Sequence, residues 1–546
     1  MKKRILLVLL GIFLLGTFLR FWRLSSYPIH LSIDEVAIGY NAFSILETGR
    51  DEYGSFLPLA FKSVGDFKPP VLIYLLVPFV SFFGLTEFAI RFPIALIGSF
   101  TILLVFFLIK KLTKNETLAL LTSFFLAISP WHIQISRGSF EAILALFFVL
   151  LGLFFFLESL RGKEKFLFIS ILSFVLSMYT YHAERVFTPL FFLCLLIVYR
   201  QRLFKLKEVF LKTSLFVTLI LLPLGIIMLR PEGQTRAKMT FISQDIEISG
   251  QLHRAGESFS LTEKIFDNNF LILTNFWVKR YLNYWDPSFL FFRGMRLTLP
   301  GCPGIGLLHL FELPLFLLGL ILFLFKRNLL HRESKKIISL WLLIGPLAAS
   351  LANNDQHALR SLTVIPMPQF LSALGFFFLW EKLKRKILWQ RAIMVSVILV
   401  TTISLVYWSD QYFLHYPIHY SEYYDYDFKT LSLYAWQHQK EYQEIIVDYQ
   451  FGTEGPYITG VPHLYMLFYG QYNPSLYQKR PILASNDFAN FTFRPIFWPK
   501  DRLKKKTLFI GSPWSLPSSD LKEEQILKKI YFKNGQLGFL IVESLN

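Results

Sequence analysis

Residues 88–109 read FAIRFPIALIGSFTILLVFFLI and run straight into Lys110 and Lys111. The stretch is 22 residues long, and its one charge, Arg91, lies near the start. At about 1.5 Å of rise per residue it reaches about 33 Å as a helix, just over the ~30 Å hydrocarbon thickness of a bilayer. Reading outward from it, ten more runs of the same character appear, near 5–22, 116–131, 139–160, 166–182, 186–200, 213–229, 305–325, 337–352, 361–380 and 392–408. The expected fold class is a polytopic α-helical membrane protein with about 11 transmembrane helices. Composition agrees: 17% of residues are charged, where soluble domains carry roughly 25%, and 59 of the 546 are Phe. A soluble enzyme is excluded on that balance. The 56 Lys+Arg against 38 Asp+Glu leave +18, an excess that reads as membrane topology rather than as nucleic-acid binding.

The positions of the basic residues set the orientation, since Lys and Arg accumulate in short cytoplasmic loops. With the N-terminus inside, the inner connections are 110–115, 161–165, 200–212, 326–336 and 381–391, and each of them is basic. Eleven crossings then leave the C-terminus outside, in a multi-pass protein of the plasma (cytoplasmic) membrane. The first run is a retained helix, because Arg20-Phe21-Trp22-Arg23 stands where a signal peptide would have its small-residue cleavage site. Residues 71–83, VLIYLLVPFVSFF, are short and interrupted by Pro78, and are read as a helix in the interface or dipping into the outer leaflet. The outer connections 23–87 and 230–304 are long. The expected domains are a membrane catalytic domain over 1–408 and a small extracytoplasmic α/β domain over 409–546. In the latter, 428–440 is helix-like, and EIIVDY (444–449), FTFRPIFW (491–498), TLFIG (507–511) and GFLIVE (538–543) are strand-like.

Chemistry-capable residues collect in the outer connections. Ser32-Ile33-Asp34-Glu35 opens a helical pattern, so two carboxylates sit at a helix N-terminus, where they cap it and can also act as general bases on an acceptor. Asp66 and Lys68 precede Pro69-Pro70, which fixes the backbone and bars a helix before it. Arg91, Arg137, Arg185 and Arg360 lie at outer helix ends, against the positive-inside rule, where an anionic ligand or lipid phosphates would pair them. Tyr40, Asp66, Tyr181, His182 and His357 are the accompanying candidates for a substrate pocket. Asp425-Tyr426-Asp427 has the DxD spacing of metal-nucleotide sites but is read as a solvated turn. The histidines never reach a metal-binding spacing, and the two cysteines cannot build a tetrahedral site, so no metal site is expected.

Together Asp34-Glu35-x4-Tyr40, TGRDEYGSFLPLAF (48–61), GDFKPPVLIY (65–74), EFAIRFPIAL (87–96), SPWHIQISRGSFEA (129–142) and HALRSLTVIP (357–366) resemble bacterial glycosyltransferase family 39. These are GT-C membrane enzymes related to dolichyl-phosphate-mannose protein mannosyltransferases and lipid A aminoarabinose transferases. The resemblance implies an inverting enzyme of cell-envelope glycosylation. Its donor would be a polyprenyl-phosphate sugar, and its acceptor a protein or glycolipid at the outer face of the bilayer. It implies Asp34 as the acceptor-activating base, with Glu35 beside it, Lys68 at the carrier phosphate, and Arg91 in carrier binding or site integrity. Arg137, Arg185 and Arg360 join that set on shorter patterns. No cofactor is required on this reading, and a divalent metal is optional. The tail lacks the β-trefoil repeats of eukaryotic protein mannosyltransferases, so the acceptor class stays open. A polytopic transporter and a lipid-linked glycan polymerase or ligase are the alternatives.

Overall fold

Each apolar run named above contains a helix in the computed structural model, which describes residues 3–256, 265, 268–295, 302–326, 329–353, 356–384, 386–480 and 485–545. Lys2, parts of the 230–304 connection (257–264, 266–267, 296–301), Arg327 and Arg385 lie outside the described residues. The helices are α1 (Lys3–Phe21), α2 (Ile33–Thr48), α3 (Pro70–Phe83), α4 (Glu87–Thr113), α5 (Glu116–Ile128), α6 (Pro130–Ser136), α7 (Glu141–Ser159), α8 (Phe166–Thr180) and α9 (Glu184–Leu203). They continue with α10 (Lys207–Leu229), α11 (Pro231–Thr240), α12 (Ile246–Gly256), α13 (Asn269–Asn283), α14 (Glu312–Phe325), α15 (Arg332–Ile344), α16 (Leu347–Ser350), α17 (Met367–Lys382) and α18 (Ile387–Asp410). By length and composition, six of the described helical runs are able to cross a membrane, or seven if α5 and α6, bent by 57°, form one span. Eleven crossings are therefore not established. The shortfall is one of length: α8, with 15 residues, reaches about 22 Å.

The described chain forms two compact units: Met1–Trp22, Lys62–Leu72 and Ile94–Trp408 in the first, and Arg23–Phe61, Ile73–Pro93 and Ser409–Asn546 in the second. The first is a helical bundle. Leu215 on α10 and Ile398 on α18 are 70% and 60% exposed, an apolar surface that belongs in lipid. This is a multi-pass membrane protein. Inside the bundle α14 and α17 cross at Gly319 and Gly375, where a Cβ on either would collide with the other helix's backbone. Such close approach of small residues is how helices associate where lipid competes for apolar surface.

The connection expected as a loop at 200–212 is helical instead, because QRLFKLKEVFLK contains no breaker. It nonetheless reverses the chain. Ser177 Oγ lies 2.9 Å from Thr188 Oγ1 near the start of α9, while the Tyr179 hydroxyl donates to Ile220 O of α10 at 2.6 Å and accepts from Leu224 N at 3.1 Å. The start of α9 and the end of α10 thus both meet the last turns of α8. Non-helical Tyr199 and the tight turn Phe204–Leu206 make the reversal.

The second unit is not the tail alone, as the 409 boundary had it; it takes in 23–61 and 73–93. The reason is α2, buried on nearly all faces. Its Tyr40 hydroxyl donates to Tyr472 O at 2.9 Å, and Gln478 Nε2 donates to Thr48 Oγ1 at 3.0 Å. The tail carries helices α19 (Phe428–Gln437) and α20 (Pro462–Tyr469) and strands β1 (Glu444–Val447), β2 (Phe491–Phe493), β3 (Thr507–Gly511), β4 (Ile526–Tyr531) and β5 (Leu537–Glu543). They form one sheet in the order β2-β1-β3-β5-β4, parallel through β2, β1 and β3 and antiparallel beyond. Ile446, Phe509 and Val542 align across one face and pack with Trp498 and Leu540. On the other face Phe539 meets Phe428 and Phe451 at centroid distances of 5.3 and 5.2 Å.

Candidate active site

The two adjacent carboxylates at the start of α2 have different tasks. Ser32 and Glu35 form a capping box: Ser32 Oγ accepts from Glu35 N at 3.3 Å, and Glu35 Oε2 accepts from Ser32 N at 2.9 Å. Glu35 Oε1 takes Arg91 Nε at 2.9 Å, and both side chains are buried. Arg91 completes its donors on Leu24 O, Pro28 O and His30 O at 3.2, 2.9 and 2.7 Å. Glu35 thus holds an arginine, and the fully buried Arg91 holds residues 24–35 in place, which is the site-integrity role of the two that the sequence offered for it. Asp34, at the second position of α2, is left partly exposed. Tyr40 is fully buried with its hydroxyl on Tyr472 O.

In the first unit, residues 63–66 make a turn closed by Ser63 N donating to Asp66 O at 2.8 Å, with Gly65 at φ +73°. A positive φ suits glycine, which has no Cβ to clash. The turn delivers Asp66 and Lys68 as a buried pair, Nζ to Oδ2 3.6 Å apart. Between them Phe67 O meets His182 Nε2 at 3.1 Å, so this segment is tied to the start of α9. There a cavity of about 250 Å³ opens, lined by Tyr181, His182, Arg185 and Arg360, with Thr240 from α11 and Ala352 beyond α16.

Arg360 sits in a loop that another of the sequence motifs supports. Trp131 Nε1 donates to Ala358 O at 2.8 Å, and Trp341 Nε1 donates to Thr363 O at 2.7 Å. The buried Trp131 of SPWHIQIS therefore fixes the HALR segment that presents Arg360. His357, three residues earlier, is half-buried and does not line the cavity. Arg137 is placed differently from Arg185 and Arg360. It is fully buried and donates to Leu19 O, Arg20 O and Trp22 O at 2.9, 3.1 and 2.8 Å. Its guanidinium satisfies carbonyls at the end of α1, which have no partner inside the helix. Thr240 and Ala352 were not anticipated from sequence, and nothing in their type distinguishes them from ordinary packing residues.

The DxD pair is not a solvated turn. Asp425 and Asp427 are both buried and both adopt positive φ. The Tyr465 hydroxyl lies 3.1 Å from Asp425 Oδ2 and 2.9 Å from Leu31 O, and burial pushes both aspartates up to about 7. Among the described residues no group of three or more His, Cys, Asp or Glu is arranged to hold a metal.

Residues 67–227 match the model of the family described as dolichyl-phosphate-mannose-protein mannosyltransferase. An uncharacterized protein of Aquifex aeolicus (strain VF5) is 28% identical over 169 residues, 31% of this chain and 32% of that protein's length. The match thus spans about a third of that relative. The oligosaccharyltransferase of Archaeoglobus fulgidus in its apo form is similar with a TM-score of 0.53 at 14% identity, over 98% of this chain and 74% of that one. In another structure of that enzyme the chain spans 61% of the length. ArnT from Cupriavidus metallidurans in the apo state gives a TM-score of 0.52 at 13% identity, over 98% and 97% of the two chains. The chain therefore has the GT-C glycosyltransferase fold, and residues 67–227 match the dolichyl-phosphate-mannose-protein mannosyltransferase family model.

Proposed function

We propose that the protein is an inverting glycosyltransferase that moves a sugar from a polyprenyl-phosphate carrier to a protein or glycolipid acceptor at the outer face of the plasma membrane. The observation that carries this reading is the cavity of the first unit. Arg185 and Arg360 line it, and Lys68 lies one residue beyond the carbonyl bound by His182, so cationic side chains collect in an apolar bundle. A phosphate offers such a set of cations charge-assisted hydrogen bonds. The resemblance in sequence gives the role of base to Asp34. Its carboxylate takes the proton of an acceptor hydroxyl or amine as that oxygen or nitrogen attacks the sugar C1. The bond from C1 to the phosphate oxygen breaks, and the electron pair leaves with the carrier phosphate. Lys68, Arg185 and Arg360 stabilise the charge that grows on it. A single displacement inverts the configuration at C1. Asp66, within 3.6 Å of Lys68, keeps the ammonium in place.

Purified protein supplied with labelled polyprenyl-phosphate sugars and an envelope extract tests the proposal. Transfer of label to protein or glycolipid is expected, and it should persist in a chelator. Lys68→Ala and Arg360→Ala should each raise the carrier KM roughly tenfold, as loss of one charge-assisted hydrogen bond implies. No transfer from any carrier sugar, or carrier KM values unchanged in both variants, would sink the reading.

A further inference from the structure

The second unit holds a cavity of about 460 Å³ that the transfer reaction above does not use. Arg23, Lys429 and Lys533 line it, together with Tyr27, Tyr426 and Glu87. Each cation is set over an aromatic ring: Arg23 over Tyr27 at 5.2 Å, Lys429 over Tyr469 at 5.4 Å and Lys533 over Tyr426 at 5.0 Å. Such contacts hold long flexible side chains in place without neutralising them. The one carboxylate is already engaged, since Glu87 accepts from Lys429 Nζ at 2.5 Å and from the Tyr469 hydroxyl at 3.2 Å. His30, also in the lining, adds no charge. Its Nδ1 donates to Leu31 O at 3.0 Å, its Nε2 accepts from Lys429 N at 3.2 Å, and burial pushes it down to about 4. Among the lining residues, three cations stand against one carboxylate, so the lining is positive.

We propose that this cavity binds a phosphorylated saccharide. The phosphoryl group would sit against Arg23 and Lys533, neither of which forms a salt bridge among the described residues, although the Asp427 charge acts on Lys533 from beyond the lining. The tyrosine faces, the hydroxyls of Ser25 and Ser26 and the rim of Glu87 suit a sugar ring. The volume falls in the range of small-ligand sites, where inorganic phosphate alone would leave most of the space unfilled. If the transfer reaction proposed above holds, a sugar phosphate here belongs to the acceptor, and the site rests on that reading only for this role.

Binding is measured by titration calorimetry on the full chain in detergent, without carrier lipid, so that it stands or falls apart from turnover. The probes are glucose 1-phosphate, glucose, inorganic phosphate and phosphatidylglycerol bicelles. Glucose 1-phosphate is expected to bind more tightly than the other three. Lys533→Ala and Arg23→Ala should each weaken it about tenfold or more, Lys533→Arg should retain it, and Arg360→Ala should leave it unchanged. Melting curves equal to wild type show that the variants fold. Unchanged affinity in both alanine variants, loss in Arg360→Ala, or preference for phosphatidylglycerol over the sugar phosphate would each overturn the site.

Discussion

Asp34 and Glu35 are neighbours in sequence with opposite expected phenotypes. Glu35 is buried with its oxygens on Arg91, Ser32 N and Ser32 Oγ, so Glu35→Gln leaves the arginine without its counter-charge in a low-dielectric site. Breaking such a pair costs about 3–5 kcal/mol, and the variant should melt well below wild type or fail to accumulate. Asp34→Asn keeps the shape and most of the capping ability at a partly exposed position, so its melting temperature should stay within a few degrees of wild type while transfer is lost. Wild-type turnover in Asp34→Asn, measured at saturating carrier, would remove it from the base role. Asp425 gives a pH signature. Its carboxyl is raised by burial to about 7 from an unfolded value of about 3.9. The folded chain therefore binds a proton that the unfolded chain releases. This contribution to stability is complete below about pH 4 and disappears as pH rises through about 7. Asp425→Asn, which mimics the neutral acid and still accepts from Tyr465, should gain in melting temperature relative to wild type between pH 5 and pH 8. A difference that is flat across that range would show that Asp425 is charged in the fold.

At the scale of the helix and strand, Gly319 and Gly375 predict where the bundle has no slack. A Cβ at either position would press on the partner helix's backbone, whereas Gly11 on α1 has nothing within 4 Å of the same atom. Gly319→Ala and Gly375→Ala should therefore lower stability by about 1–3 kcal/mol, read as melting temperature in detergent, while Gly11→Ala changes it little or raises it. Equal effects at all three sites would remove the close crossing as the cause. The apolar helices were legible in sequence because lipid demands long uncharged runs. The partners of their end charges were not. Arg137 looks the same in sequence whether it faces a phosphate or the carbonyls at the end of α1, and only packing against residues more than a hundred positions away decides it. Strand β4 was missed for a related reason: ILKKIY mixes exposed Lys528 and Lys529 into a sheet-edge strand, and lysines there discourage pairing with another chain while blurring the alternation that marks a strand. The role of Glu35 was half visible, since the capping box is local and the pairing with Arg91 is not.

For the whole molecule the open quantity is the number of crossings, and its parity has a direct readout. Residues 184–229 form a helical run of 46 residues, about 69 Å if straight, more than twice the bilayer core. Arg200, Arg202, Lys205, Lys207 and Lys212 lie at its middle. One straight passage would place those charges in hydrocarbon or leave half of the apolar run in water, and both are expensive. The contacts of α8 with the start of α9 and the end of α10 settle the geometry inside the unit: the run folds back on itself, so the charges gather at the end of the bundle away from Thr188. Counting α9 and α10 separately turns six long spans into seven, and each shorter helix that also crosses must be matched by another if the basic connections are to stay on one face. A reporter fused within 200–212 and one within 326–336 should therefore both lie in the cytoplasm, and one fused after Ser409 should lie outside, as an odd number of crossings from a cytoplasmic N-terminus requires. An external reporter at 200–212 would mean that the fold-back lies on the other face and that every orientation after α9 is inverted. An internal reporter after Ser409, with the first two in the cytoplasm, would confine the error to the segments between 337 and 408, where α17 and α18 are long and apolar enough to cross and α15, at 13 residues, is the one whose passage would have to be withdrawn.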